Sequence, residues 1–315
     1  MKISRRKFLK HAGAAAVIAP ILSSPFYGFM PDQTNEPLKV HLFSKHLQFL
    51  DFKDAAHLAA ELGFDGLDLT VRPKGHVLPE NVKRDLPKAI MEIRNAGLSC
   101  EMITTAVSDV ANPLDIDVIQ TAAAEDVKFY RSNWFKYKKD LSLEESLDFY
   151  QEKIRQLADY NKEQNIVGCY QNHSGTSIGA SVWEVKKILE TANPKFFGVQ
   201  YDIRHAVAEG GQSWPNGVKL LKPHIKTIVL KDFKWGKVDG KWQIVNVPIG
   251  EGMVDFNAYF KLLKSLNMNP PVSLHLEYPL GGADKGYYEI TVDQKVVFDA
   301  MKMDLAAIQQ LWIED

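Results

Sequence analysis

Eight short runs of apolar, β-branched and aromatic residues recur along the chain, separated by amphipathic helical stretches, and this alternation restricts its fold more than any other feature. The runs lie at residues 40–43, 67–71, 98–103, 127–130, 166–170, 197–201, 225–230 and 272–277. Between them, residues 54–62, 86–96, 143–161, 182–191 and 256–266 carry apolar side chains at the helical period. A strand, a helix and a further strand pack as a right-handed parallel unit. Eight such units without a Gly/Ser/Pro-rich linker predict an α/β fold that closes into a single (β/α)8 barrel. The competing arrangement is an open, doubly wound sheet, but no Gly-rich dinucleotide or phosphate loop follows the first run.

The start of the chain is of another kind. Ser4-Arg5-Arg6-Lys7-Phe8-Leu9-Lys10 precedes an apolar segment at residues 12–22 that is too short to cross a bilayer as a mature helix. A paired arginine followed by such a segment reads as a twin-arginine export signal. The chain is therefore expected to divide into a signal peptide at residues 1–31 and a barrel domain at 32–315, with a periplasmic or otherwise exported address. Loss of the signal removes Lys2, Arg5, Arg6, Lys7 and Lys10 from 38 basic residues and none of the 39 acidic ones. The mildly acidic remainder offers no footprint for nucleic acid and no stable membrane anchor. Cys100 and Cys169, the two cysteines, fall in apolar runs, which predicts buried thiols rather than a disulfide.

In a parallel barrel, alternate strand residues face inward, and those near the C-terminal mouth become polar where chemistry is done. The inward sets predicted here are His41, Phe43 and Lys45; Asp68, Thr70 and Arg72; Cys169, Gln171 and His173; Gln200 and Asp202; Val229 and Lys231; and His275 and Glu277. His76 follows the second strand and His205 the sixth. Titratable and amide groups far apart in sequence thus converge on one mouth. Trp134, Trp235 and Trp242 could offer flat apolar faces to a sugar ring, or could cover the barrel rim.

These residues stand in a wider pattern. Gly63-Phe64-Asp65-Gly66-Leu67-Asp68-Leu69, Tyr170-Gln171-Asn172-His173 and Tyr201-Asp202-Ile203-Arg204-His205 come first. Lys231-Asp232-Phe233, Gly250-Glu251-Gly252-Met253-Val254-Asp255 and Leu276-Glu277-Tyr278 follow. In order and spacing the chain resembles the xylose isomerase-like TIM barrels, a family of sugar isomerases and epimerases, from Leu38 to its C-terminus. The resemblance implies one divalent metal, Mn or Mg, held by a Glu, an Asp, a His and a Glu from the last four strands. Asp202 and Glu277 match, whereas Gln171 stands for the first Glu and Val229 for the His, leaving Asp202, Glu277 and Gln171 as the set that could hold a metal.

The same resemblance implies Glu277, His205 and Lys231 as catalytic groups, while Lys45, Arg72 and His76, at or just after the ends of the first two strands, are expected with His173 and Gln171 as substrate contacts. With Gln171 unable to exchange a proton, a one-base reaction follows. Glu277 would take a proton next to a sugar carbonyl, in an isomerase or epimerase, or in a lyase or hydratase acting on 3-keto-glycosides. The alternative is a carbohydrate-binding barrel without catalysis. The expected partner is a small carbohydrate, and a homo-oligomer is compatible with the sequence.

Overall fold

The computed structural model describes residues 36–313, and the expected signal peptide lies outside them. Eight parallel strands close a barrel: β1 (Val40–Phe43), β2 (Gly66–Val71), β3 (Ser99–Thr105), β4 (Phe129–Arg131), β5 (Val167–Gln171), β6 (Phe197–Asp202), β7 (Ile225–Leu230) and β10 (Val272–Leu274). Each pairs with its neighbours in sequence, and β10 closes the ring against β1 through Val40 with Val272 and Leu42 with Leu274. The (β/α)8 barrel read from the alternation is the fold observed.

Outside the ring pack α1 (Phe52–Leu62), α2 (Val82–Asn95), α3 (Pro113–Ala124), α4 (Leu143–Gln164), α5 (Val182–Ile188), α6 (Ile203–Gly210), α7 (Trp214–Leu221), α8 (Phe256–Ser265) and α9 (Gln294–Ile313). Their ends follow local chemistry. Asp51 caps α1 by accepting from the Asp54 N–H, and Gly63 ends it at φ 90°, a left-handed turn that glycine adopts without a Cβ clash. Ser142 and Glu145 form a reciprocal capping box on α4. The core lies between helices and strands, where Leu42, Leu69, Ile90, Leu157, Tyr170, Val199, Ile228 and Leu274 are buried together. Cys100 and Cys169 are free and buried, and burial pushes each thiol up to about 12.

Two features depart from the alternation. The run at 272–277 leaves the ladder after Leu274, because the Leu276 N–H donates to His46 Nε2 at 2.9 Å rather than to a neighbouring strand. His46 is fully buried and bridges onward to the Ala283 carbonyl at 3.1 Å through Nδ1. The second feature is an antiparallel hairpin, β8 (Asp232–Val238) and β9 (Lys241–Val247), inserted after β7. Its turn is Asp239-Gly240, both at positive φ, the arrangement that matches the twist of two-residue hairpins. Asp232 anchors the hairpin base: its carboxylate accepts from the N–H groups of Phe233, Gly250, Gly252 and Val254. A Cβ at Gly252 would collide with that carboxylate, which accounts for the glycine in the loop.

Candidate functional site

Side chains from six barrel strands and the segments that follow them meet in one cavity of about 90 Å³ at the C-terminal mouth. Phe43, Lys45, Arg72, Arg131, Trp134, Gln171, His173, Lys231, His275 and Glu277 line it. Its centre is Lys231, whose Nζ lies 3.1 Å from Asp202 Oδ2, 3.3 Å from Glu277 Oε2 and 2.9 Å from His205 Nε2. Gln171 donates its amide to the same Asp202 oxygen at 2.8 Å. Lys45 reaches the other Glu277 oxygen at 3.3 Å.

Local structure fixes these positions. Asp202 is the last residue of β6 and also the cap of α6, its Oδ1 accepting from the His205 N–H at 3.1 Å. One carboxylate therefore sets the helix start and, with its second oxygen, the place of Lys231. Burial favours the neutral form of Glu277, but Lys231 and Lys45 outweigh it and hold the carboxyl well below its usual range. Burial, with Lys231 and other neighbouring positive groups, likewise drives His205 well below the ordinary imidazole value, so this ring is neutral. His173 lies 2.8 Å by Nδ1 from the Ser174 carbonyl, and its ring sits between Trp134 and His205.

A family model of xylose isomerase-like TIM barrels matches residues 56–290. The chain belongs to that family. Among curated proteins none matches it in sequence. Solved structures of similar fold include the probable 3-DHS dehydratase of petrobactin synthesis from Bacillus anthracis, 15% identical over 85% of this chain and 99% of that one, with a TM-score of 0.63. The 3-keto-D-glucoside 4-epimerase of E. coli is 12% identical over 85% of this chain and 99% of its own, with a TM-score of 0.62. A xylose isomerase-like barrel from Mycobacterium smegmatis, solved with magnesium, is 11% identical over 87% and 98% of the two chains, with a TM-score of 0.61. At these identities the likeness concerns the fold.

For a xylose isomerase-like barrel, the donor set here does not fit a divalent ion. Val229 is buried and pairs in register with Asp202 and Ser273, so the position expected for an imidazole ligand holds a hydrocarbon. Gln171 spends its amide on Asp202, and the ammonium of Lys231 touches both remaining carboxylates. Among the described residues no group of three or more His, Cys, Asp or Glu is arranged to hold a metal. The trio Asp202, Glu277 and Gln171 does come together, but around a lysine.

Of the other residues singled out from sequence, Lys45, Arg72, Gln171, His173, Lys231 and Glu277 line the family's expected mouth, while Asp202 and His205 stand directly behind it. His76 does not join them. Its Nε2 donates to the Leu47 and Leu50 carbonyls at 3.0 and 3.3 Å, because the loop after β2 folds back through a Val71–Val77 bridge and turns the ring toward Phe52 and α1. Trp134 reaches the cavity, but Trp235 and Trp242 project from the hairpin, 46% and 70% exposed. Arg131 and His275 line the cavity without having been assigned a role from sequence. Asn246 of β9, also unforeseen, accepts from Arg204 and donates to the Glu277 carbonyl at 3.1 Å, tying the hairpin to the site.

Proposed function

We propose that this protein is an enzyme acting on a carbohydrate by removing a proton from a carbon next to a carbonyl, with Glu277 as the base. The observation that carries this reading is an ionised carboxylate facing the cavity between two ammonium groups, Lys231 and Lys45. In the reaction the C–H bond breaks, its proton goes to Glu277, and the electron pair moves onto the carbonyl oxygen. The two lysines supply positive charge next to that developing oxyanion in a poorly solvated site. The enolate can then be reprotonated, giving an isomer or epimer, or it can expel a group from the neighbouring carbon. Gln171 offers no second base, which favours the elimination, with a 3-keto-glycoside as the substrate class. His205, neutral and behind Lys231, acts as a positioning residue, and His173 as a contact for a substrate hydroxyl.

Incubation with 3-keto-glucosides and with free ketoses in D2O tests the proposal. Deuterium entering the carbon next to the carbonyl, or release of the glycosidic group, supports it. Glu277→Gln should lower that rate by roughly a hundredfold or more while leaving sugar binding and the melting temperature near wild type. A fully active Glu277→Gln protein would overturn the assignment of the base, and a protein that binds sugars but exchanges no proton would be a binding barrel.

A further inference from the structure

The cavity is more cationic than a neutral sugar requires. Four positive side chains line it, Lys45, Arg72, Arg131 and Lys231, against the single carboxylate of Glu277. The two lysines are used by Glu277 and Asp202. The two arginines, from β4 and the end of β2, have no salt-bridge partner among the described residues. Arg131 is 4% exposed; its Nη2 donates to the Thr105 carbonyl at 3.3 Å, but its buried Nη1 has no acceptor. Its guanidinium lies 4.2 Å over the ring of Trp134, whose own buried Nε1 also lacks a partner. Arg72 stands 5.6 Å over Phe43. The acid beneath them, Asp68, already accepts from the Thr104 and Ser273 hydroxyls. Burial and then the neighbouring Arg72 work against the charge on Arg131, lowering its pKa to about 9.

A buried cationic donor without an acceptor is destabilising, and a ligand anion is what would satisfy it. Arginine is the side chain whose planar fork matches a carboxylate or a phosphate. We infer that the substrate is an anionic sugar, bearing a carboxylate or a phosphate that Arg131, on the side of the cavity across from Glu277, receives together with Arg72. This rests on the reading of the cavity as a carbohydrate site and narrows the substrate class. The ring order of the strands sets β4 opposite β10 and β2 two strands from it, with β1 between, so an anion held from Arg131 leaves the rest of the sugar directed toward Glu277 and Lys231.

The test uses three ligands that share a ketose frame: D-fructose, 2-keto-D-gluconate with a carboxylate in place of the C1 hydroxymethyl group, and D-fructose 6-phosphate. Calorimetric titration of the purified protein should find at least one anionic sugar binding tenfold or more tighter than D-fructose, and which one distinguishes carboxylate from phosphate. Arg131→Gln should lower that affinity at least tenfold, and by a clearly larger factor than it lowers the affinity for D-fructose. Arg72→Gln, at a less buried position, should do the same and serves if Arg131→Gln does not fold. Equal affinity for all three, wild-type affinity in both variants, or no binding of either anionic sugar at millimolar concentration overturns the inference. Because binding is read without turnover, these outcomes are separate from a failure of proton exchange, which bears on Glu277 instead.

Discussion

The two sides of the cavity are built on opposite principles. On the side of β6, β7 and β10, the charged groups answer one another: Lys231 contacts Asp202, Glu277 and His205, while Gln171 binds Asp202. On the side of β2 and β4, Arg72 and Arg131 face the same space, and the buried Nη1 of Arg131 has no acceptor. A closed network keeps its geometry without a ligand, as a base and its oxyanion partner must. An open set of donors is complete only when something arrives. On the proposed function, the contrast separates groups positioned for chemistry from groups positioned for recognition.

The largest expected effect comes from breaking the closed side. Lys231→Met would leave the fully buried Asp202 without its cation and Glu277 with only Lys45. Removing one member of a buried ion pair costs about 3–5 kcal/mol, since the other charge stays desolvated. Urea unfolding at pH 7 should show a loss of that order, and Lys231→Met with Asp202→Asn should recover part of it. A loss under about 1 kcal/mol would mean the lysine is not the centre of the network.

That the closed side and Arg72 are legible in the sequence, and Arg131 is not, has a physical cause. Inward parity is a period-two property of any strand, so Gln171, Lys231 and Glu277 followed from where β5, β7 and the last apolar run begin. Arg131 escaped because the apolar run of β4 was bounded at residue 130, one short of the strand's true end, and charge at a strand end resembles a loop residue. His76 was misplaced for the converse reason. Its role depends on the loop returning to pair Val77 with Val71, a tertiary contact that leaves no periodic trace. The hairpin that brings Asn246 to Glu277 does leave a signal, Asp239-Gly240 between alternating segments in the long interval after the seventh run.

A smaller effect sharpens the comparison by changing which cation the closed side holds. Gln171→Glu with Val229→His restores an anion and a nitrogen donor beside Asp202 and Glu277, a set suited to Mn²⁺. The double variant should bind Mn²⁺ at least tenfold more tightly than wild type in calorimetry, and Mn²⁺ should raise its melting temperature while leaving that of wild type unchanged. Equal binding by the two proteins would show that wild type finds its ligands elsewhere, with His173 the first to examine.

The smallest effect lies outside both sides and marks the boundary of the site. Burial lowers His76 to about 4, while its Nε2 donates to two backbone carbonyls. The sign follows from proton binding. Below pH 6.5 the unfolded chain takes up a proton at this ring that the folded chain refuses, so the stability associated with neutral His76 is complete above about 6.5 and is lost as pH falls toward 4. His76→Phe removes the hydrogen bonds, costing about 1 kcal/mol at pH 7. It also removes the proton, sparing about 1.4 kcal/mol per pH unit below 6.5. The two unfolding free energies should therefore meet between pH 7 and 5 and cross, leaving the variant about 1 kcal/mol the more stable at pH 5, with turnover within twofold of wild type at pH 7. If the two stability curves stay parallel, His76 does not carry the pH dependence; a tenfold loss of turnover would return this histidine to the cavity from which its hydrogen bonds exclude it.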